Sequence, residues 1–302
     1  MPMTRPNFFI VGAPKCGTTA LFKYLKTHPD VYLPHAKEPC FFCDDFPGEQ
    51  IVKTLDDYLK LFDDVDRNYK AIGEASVWYL YSKVAIENLY AFNSAAKLIV
   101  MLRSPVEQVY SMHHQCLLEW YETEKDFVKA WNLQKVRKSG KKIPRHCKAA
   151  QFLQYRDIAS YGGQIERLLS VFPREQVHFI LFDDLRANPR QVYLDVLAFL
   201  GVEDDGRQVF SAENSSKRHR FHWLAVGLAH QPLWFEKLKA RIRRALNIRK
   251  IGIRALIEKR LVVTESRRPL PDDFVYELRD GFREDIAKVS ELIGRDLKHW
   301  CQ

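Results

Sequence analysis

FFIVGAPKCGTTALFKYL, Phe8 to Leu25, begins as an apolar run, breaks at Gly12 and Pro14, and resumes as an amphipathic pattern with Leu21 and Leu25 on one side. That reads as strand, turn and helix. Such a turn sets backbone N–H groups and the positive end of a helix around a concavity, which favours a bound anion. Gly12 and Gly17 keep the glycine spacing of the triphosphate-binding pattern G-x-x-x-x-G-K-[ST]. The lysine is displaced: Thr18 stands in its place, and Lys15 lies inside the loop. A cation there would meet a different atom of the anion, nearer a 5′-phosphate and the bond to its neighbour, and suits neutralising a leaving phosphate.

Further apolar runs at 71–76, 97–103 and 176–185 read, with 8–12, as buried parallel strands. Helical patterns lie between them at 18–26, 105–121, 158–172 and 189–200. Ser104 and Pro105 are placed to start the second of these, and Gly201 to close the last. Alternating strand and helix predicts an α/β fold, a P-loop-like three-layer sandwich with a central parallel sheet and helices on both faces. The loops after Gly12, Glu74 and Arg103 then converge at the carboxyl ends of the strands, where ligands bind. Near the C-terminus, Phe274, Leu278, Phe282, Ile286, Val289 and Ile293 recur at intervals of three and four and predict one buried helix stripe. The organisation expected is a single domain over 1–302 with a basic helical insertion at about 221–265.

A chain of 302 residues that is 46% hydrophobic supports a sizeable core, which argues against disorder. No apolar run approaches the roughly 20 residues needed to span a bilayer, and MPMTRPN lacks the apolar segment of a signal peptide, so a cytoplasmic protein is expected. The six cysteines show no paired spacing. Cys40 and Cys43 form C-x-x-C, but no second pair completes a zinc set, and we read them as free thiols. The formal charge of +9 is concentrated between Lys217 and Arg268, where basic residues far outnumber acidic ones. That segment reads either as a solvated helix face near an anion pocket or as a contact for nucleic acid, an anionic partner or a membrane surface. No nucleic-acid partner is expected.

Two more segments carry chemistry. HAKEPCFF, 35–42, places Lys37 beside Glu38, and a carboxylate poised in a cleft can take a proton from an acceptor hydroxyl. IVMLRSPVEQVYSMHHQ ends a strand in Arg103, with Ser111 one to two turns into the next helix; an arginine and a hydroxyl aimed at one spot suit a phosphate monoester. His113 and His114 are alternative bases. Trp78, Tyr79, Tyr81 and Trp120 are candidate walls of an acceptor pocket or, equally, aromatic core. Asp183, in VHFILFDD, is the rival feature: an acid ending a strand could hold Mg²⁺ for a P-loop kinase or NTPase.

GAPKCGTTALFKYL, KEPCFF and LRSPVEQVYSMHH, in this order, resemble the signature loops of sulfotransferases that use 3′-phosphoadenosine-5′-phosphosulfate (PAPS). The K-E-P-x-F-F form is most similar to the heparan-sulfate-type and bacterial branches. The later segments 154–189 and 267–300 resemble that family's late helix and strand and its closing helix. The resemblance implies that Lys15, Cys16, Gly17, Thr18 and Thr19 cradle the 5′-phosphosulfate, with Lys15 stabilising the leaving phosphate. It implies Glu38 as general base, Lys37 near the sulfuryl group, and Arg103 with Ser111 on the 3′-phosphate. Lys217 and Arg218 match a late basic loop that closes over the nucleotide. Glu74, Trp78 and Tyr79 are candidates for the acceptor cleft, where Ala75 stands at a position some relatives fill with lysine. No metal is implied. The expected reaction is sulfuryl transfer from PAPS to a hydroxyl or amine of a small-molecule or natural-product acceptor, with a polysaccharide acceptor as the alternative.

Overall fold

The computed structural model describes residues 4–46, 48–65, 69–211, 217–219, 262–264 and 268–302. The chain begins with β1 (Phe8–Gly12), buried along its whole length as an apolar run covered on both faces must be. A loop leads into α1 (Thr18–Lys26), which buries Leu21 and Leu25, and on to the short β2 (Val31–Tyr32). There follow α2 (Leu55–Leu59), β3 (Ala71–Ala75), α3 (Ala85–Phe92), β4 (Lys97–Leu102) and α4 (Pro105–Leu118). After α5 (Phe127–Asn132), α6 (Gln134–Lys138), α7 (Tyr155–Ala159) and α8 (Tyr161–Val171), the sheet is completed by β5 (Val177–Leu181). Then come α9 (Phe182–Ala187) and α10 (Pro189–Leu200), the latter closed by Gly201 in the left-handed conformation.

The five strands lie in the order β2-β3-β1-β4-β5, and every neighbouring pair is parallel. Phe8 faces Gly73 on one side and Lys97 on the other, which fixes β1 at the centre. The chain leaves β1 toward β3 on one flank and β4 on the other, so the carboxyl ends of these three strands adjoin at the switch point of the sheet. The α/β class and parallel sheet expected from the sequence are those observed.

Three boundaries differ from expectation. The run 176–185 does not stay extended: β5 stops at Leu181, and Asp183 and Asp184 enter the first turn of α9, where the helix dipole favours acids. The helix expected over 158–172 is interrupted at Ser160, and the N-terminus of α8 is instead satisfied from afar, the Gly162 N–H donating to Asp285 Oδ1 at 3.0 Å. The helix expected over 105–121 ends at Leu118.

The C-terminal helix α11 (Asp272–Ile293) buries the six residues of the predicted stripe and packs on α8 and α4. Between α4 and α7 the chain is pinned by Glu122, fully buried. Its carboxylate accepts from Arg137 Nη2 at 2.7 Å, Tyr155 O–H at 2.8 Å and the N–H groups of Thr123 and Glu124 at 2.8 Å. Burial alone would raise its pKa, but the Arg137 guanidinium and these donors outweigh it and hold the carboxyl below its ordinary value.

Two compact units are distinguished, 1–213 with 270–302, and 214–269. In the second, β6 (Lys217–His219) pairs antiparallel with β7 (Val262–Thr264). The basic helical insertion expected at 221–265 lies outside the described residues, except that 262–264 is strand. Among the described residues no helix is long and apolar enough to cross a membrane.

Candidate active site

The end of β1 and the loop after it are held from both flanks. Ala13 N–H donates to Met101 O on β4 at 2.7 Å, and Leu80 N–H, beyond β3, donates to Val11 O at 2.9 Å. Gln108 of α4 holds the loop from above, its Nε2 donating to Pro14 O at 3.1 Å. Lys15 has φ 66° and Gly17, the N-cap of α1, φ 91°. A Cβ on Gly17 would lie 2.9 Å from Leu185 Cδ2 and 3.0 Å from Phe182 Cδ2, so both the backbone and the space call for glycine. No side chain caps α1, and its first turn holds no acid. The first N–H donors of α1 thus have no acceptor from a capping side chain.

Two cations act on this loop. Lys15 Nζ donates to Gln115 Oε1 at 2.9 Å, and Gln115 Nε2 passes the chain to Glu119 Oε1 at 2.6 Å. The Arg103 guanidinium lies over the Phe182 ring, 4.4 Å from its centroid, with Nε donating to Glu107 Oε2 at 2.7 Å. Burial pushes the Cys16 thiol up to about 12, while the Tyr161 hydroxyl at 3.7 Å, Arg103 and Lys15 pull it the other way. Cys16 is therefore a neutral thiol. The Phe182 ring beneath Arg103 also faces Gly17, which sets this guanidinium beside the loop. Thr18 is buried and Thr19 partly so. Ser111 is buried on α4, and with Gln108 and Gln115 it forms a spacing of three and four that puts all three on one helix face.

Glu38 sits at the carboxyl end of β3. Its N–H donates to Ala75 O at 2.9 Å, its Oε2 accepts from Val77 N–H at 2.8 Å, and Lys37 pairs with its other oxygen. Among the described residues no group of His, Cys, Asp and Glu is arranged to hold a metal ion.

The structure therefore brings Lys15, Cys16, Gly17, Thr18, Thr19, Arg103 and Ser111 to the end of β1 and β4, and Lys37 and Glu38 to the end of β3. Other candidates are placed differently. Glu74 and Tyr79 are fully buried, Tyr79 with its ring against Phe42, so they form core beneath the site and not its wall. Trp78 is buried in a cluster with Phe46, Tyr81 and Phe152. Asp183 lies in α9 and accepts from Trp300 Nε1 at 2.7 Å, which turns it to the C-terminal turn, away from the strand-end position of a Mg²⁺-binding acid. His113 is buried, its Nε2 2.8 Å from Glu124 O, and burial pushes it down to about 4. The side chains of Lys217 and Arg218 lie outside the described residues. Sequence reading missed Gln108, Gln115, Ser76 and Tyr161. The helical spacing from Ser111 was the available signal for the two glutamines.

A central parallel strand that runs into a lysine-bearing glycine loop, with an arginine just past the end of the next strand, defines an α/β protein of P-loop-like fold. The chain belongs to the sulfotransferase family: the family model described as sulfotransferase domain matches residues 5–221. It is similar over 99% of its length to all of the crystal structure of a sulfotransferase from Alicyclobacillus acidocaldarius, at 31% identity and a TM-score of 0.72. The human bifunctional heparan sulfate N-deacetylase/N-sulfotransferase 3 is 29% identical over 207 residues, 65% of this chain and 22% of that protein. The membrane-associated sulfotransferase kil1 of Dictyostelium discoideum is 34% identical over 122 residues, 40% of this chain and 25% of that protein. The chain thus spans about a quarter of the length of these curated relatives.

Proposed function

We propose that the protein transfers a sulfuryl group from PAPS to a hydroxyl or amine of a small-molecule or natural-product acceptor and releases 3′,5′-adenosine bisphosphate. The observation that carries this reading is a lysine inside the anion loop, with Arg103 stacked on the ring that faces Gly17, at a helix N-terminus that has no side-chain cap and no acid in its first turn. PAPS carries phosphates at both ends of its ribose and so suits two separated cations. Lys15 and the N–H groups of 16–19 would hold the 5′-phosphosulfate, and Arg103, exchanging Glu107 for the ligand, would hold the 3′-phosphate with Ser111. Lys217 and Arg218 are proposed to close over the nucleotide.

In this reading Glu38 takes the proton of the acceptor as its oxygen or nitrogen bonds to sulfur. The bond from sulfur to the 5′-phosphate oxygen breaks, and its electron pair stays on that oxygen, where Lys15 meets the developing charge. Lys37 lies next to Glu38 and would face the sulfuryl oxygens. Ala75, with no cation to offer an acidic sugar, supports a small acceptor, whereas the heparan sulfate named in the human relative supports a polysaccharide. A cytoplasmic site of action belongs to the same reading, and the kil1 name makes membrane association its alternative. The basic segment 217–268 is proposed to recruit an anionic acceptor or surface. Glu38→Gln tests the chemistry: turnover should fall about 10²- to 10⁴-fold, the usual contribution of a general base, while affinity for 3′,5′-adenosine bisphosphate stays as in wild type. Undiminished turnover would remove Glu38 from this role.

A further inference from the structure

Glu38 and Cys40 flank a single proline, and both adopt positive φ, 63° and 51°, in the region that residues with side chains avoid. A loop of this shape needs support from outside, and three contacts supply it, from the last residue of β3 and the two that follow it. Ala75 O accepts the Glu38 N–H, Val77 N–H donates to Glu38 Oε2, and Ser76 Oγ accepts the Cys40 N–H at 3.0 Å. The same Ser76 hydroxyl donates its proton to Glu74 Oε2 at 2.9 Å. Glu74, fully buried, has no contact with solvent and no other evident task.

We propose that Glu74 is a positioning residue for the base Glu38: its carboxylate orients the Ser76 hydroxyl, which fixes the loop 38–40, and protonation of Glu74 releases that hold. The inference rests on the role of Glu38 given above. A hydroxyl has one proton, and an ionised Glu74 is a strong acceptor for it, which turns the lone pairs of Oγ toward the Cys40 N–H. A protonated Glu74 offers a proton back to Ser76 and ends this orientation. The groups that face Glu74 are the Tyr58 hydroxyl of α2 at 3.5 Å, Ser76 and Tyr79 on the segment after β3, and Glu38 and Cys43 on the loop. Burial pushes its carboxyl up to about 7; the hydrogen bonds from the Ser76 and Tyr58 hydroxyls oppose the rise and the charge of Glu38 adds to it. The switch therefore falls in the neutral range, and turnover rises as Glu74 ionises.

Two measurements test this. In a carbon NMR titration of side-chain carboxyls, Glu74 should titrate near neutrality in wild type, and at lower pH in Glu38→Gln, where a like charge has been removed. In kinetics, Glu74→Gln and Ser76→Ala should each lower kcat about ten- to a hundredfold through misplacement of the base, keep affinity for 3′,5′-adenosine bisphosphate within about twofold, and lose the neutral step in the pH profile. If Glu74→Gln does not fold, Ser76→Ala carries the kinetic test alone. Wild-type kcat and pH profile in these variants, or a Glu74 midpoint that ignores Glu38, would overturn the proposal. Full turnover in Glu38→Gln would instead overturn the assignment of the base, a failure that leaves the NMR coupling readable.

Discussion

Gly17→Ala probes the anion loop with a cost set by two separable terms. At φ 91° an added Cβ forces a left-handed backbone at about 1–2 kcal/mol. That Cβ also stands 2.9 Å from Leu185 Cδ2 and 3.0 and 3.2 Å from the Phe182 ring, overpacking of about 1–3 kcal/mol. Together they predict a loss of about 2–5 kcal/mol. Gly201→Ala is the matched control, since Gly201 has φ 76° but nothing within 4 Å of its Cβ, so only the first term applies. Urea denaturation of the two variants should differ by the packing term. The consequence reaches the ligand as well, because the ring that the new methyl pushes carries the Arg103 guanidinium on its face. Calorimetry should therefore show weakened binding of 3′,5′-adenosine bisphosphate in Gly17→Ala and unchanged binding in Gly201→Ala. Equal destabilisation of the two, or wild-type affinity in Gly17→Ala, would refute the reasoning.

Stability against pH follows from two buried groups of opposite sign. Native Glu74 keeps its proton to about 7, whereas the unfolded carboxyl loses it near 4.5, so the native state binds more protons between these values and stability falls as pH rises, by up to about 3 kcal/mol. His113 behaves oppositely: between 6.5 and about 4 the unfolded state binds more protons, and stability falls as pH falls. The two slopes offset each other in wild type. Urea midpoints at pH 5 and 7 should then show acid loss alone in Glu74→Gln and alkaline loss alone in His113→Phe, and flat profiles in both would contradict this. Arg137→Met leaves the Glu122 carboxylate buried without its cation and should cost about 3–5 kcal/mol at pH 7. Because the pair holds Glu122 below its ordinary 4.5, its contribution is present above that value and lost as pH falls beneath it, so wild type and variant should converge in acid. A loss under about 1 kcal/mol at pH 7 would show that the pair is not desolvated.

Much of the placement of the candidate site was legible because it depends on local order. The break at Gly12, the displaced Lys15 and the arginine at the end of 97–103 are adjacent in sequence to the strands that place them. The six-residue stripe of α11 was legible for a similar reason, a long periodic run having one buried face. What the sequence hid depends on partners far along the chain. Glu74 lies in the strand whose end carries Glu38 and Tyr79 follows it, and only the packing of Phe42 and Tyr58 over them makes them core. Asp183 continues an apolar run, and nothing local shows that Trp300 will claim its carboxylate. The break at Ser160 is likewise set by Asp285, more than a hundred residues away.

The central claim is a site for a nucleotide phosphorylated at both the 3′ and 5′ positions, and calorimetric titration with 3′,5′-adenosine bisphosphate against ATP plus Mg²⁺ tests it most directly. The account predicts tight binding of the bisphosphate without metal and little binding of ATP. It also predicts a bisphosphate loss of about 1.5–3 kcal/mol in Arg103→Ala, that of a hydrogen-bonded charge. Tight, Mg²⁺-dependent ATP binding with indifference to the bisphosphate would contradict it.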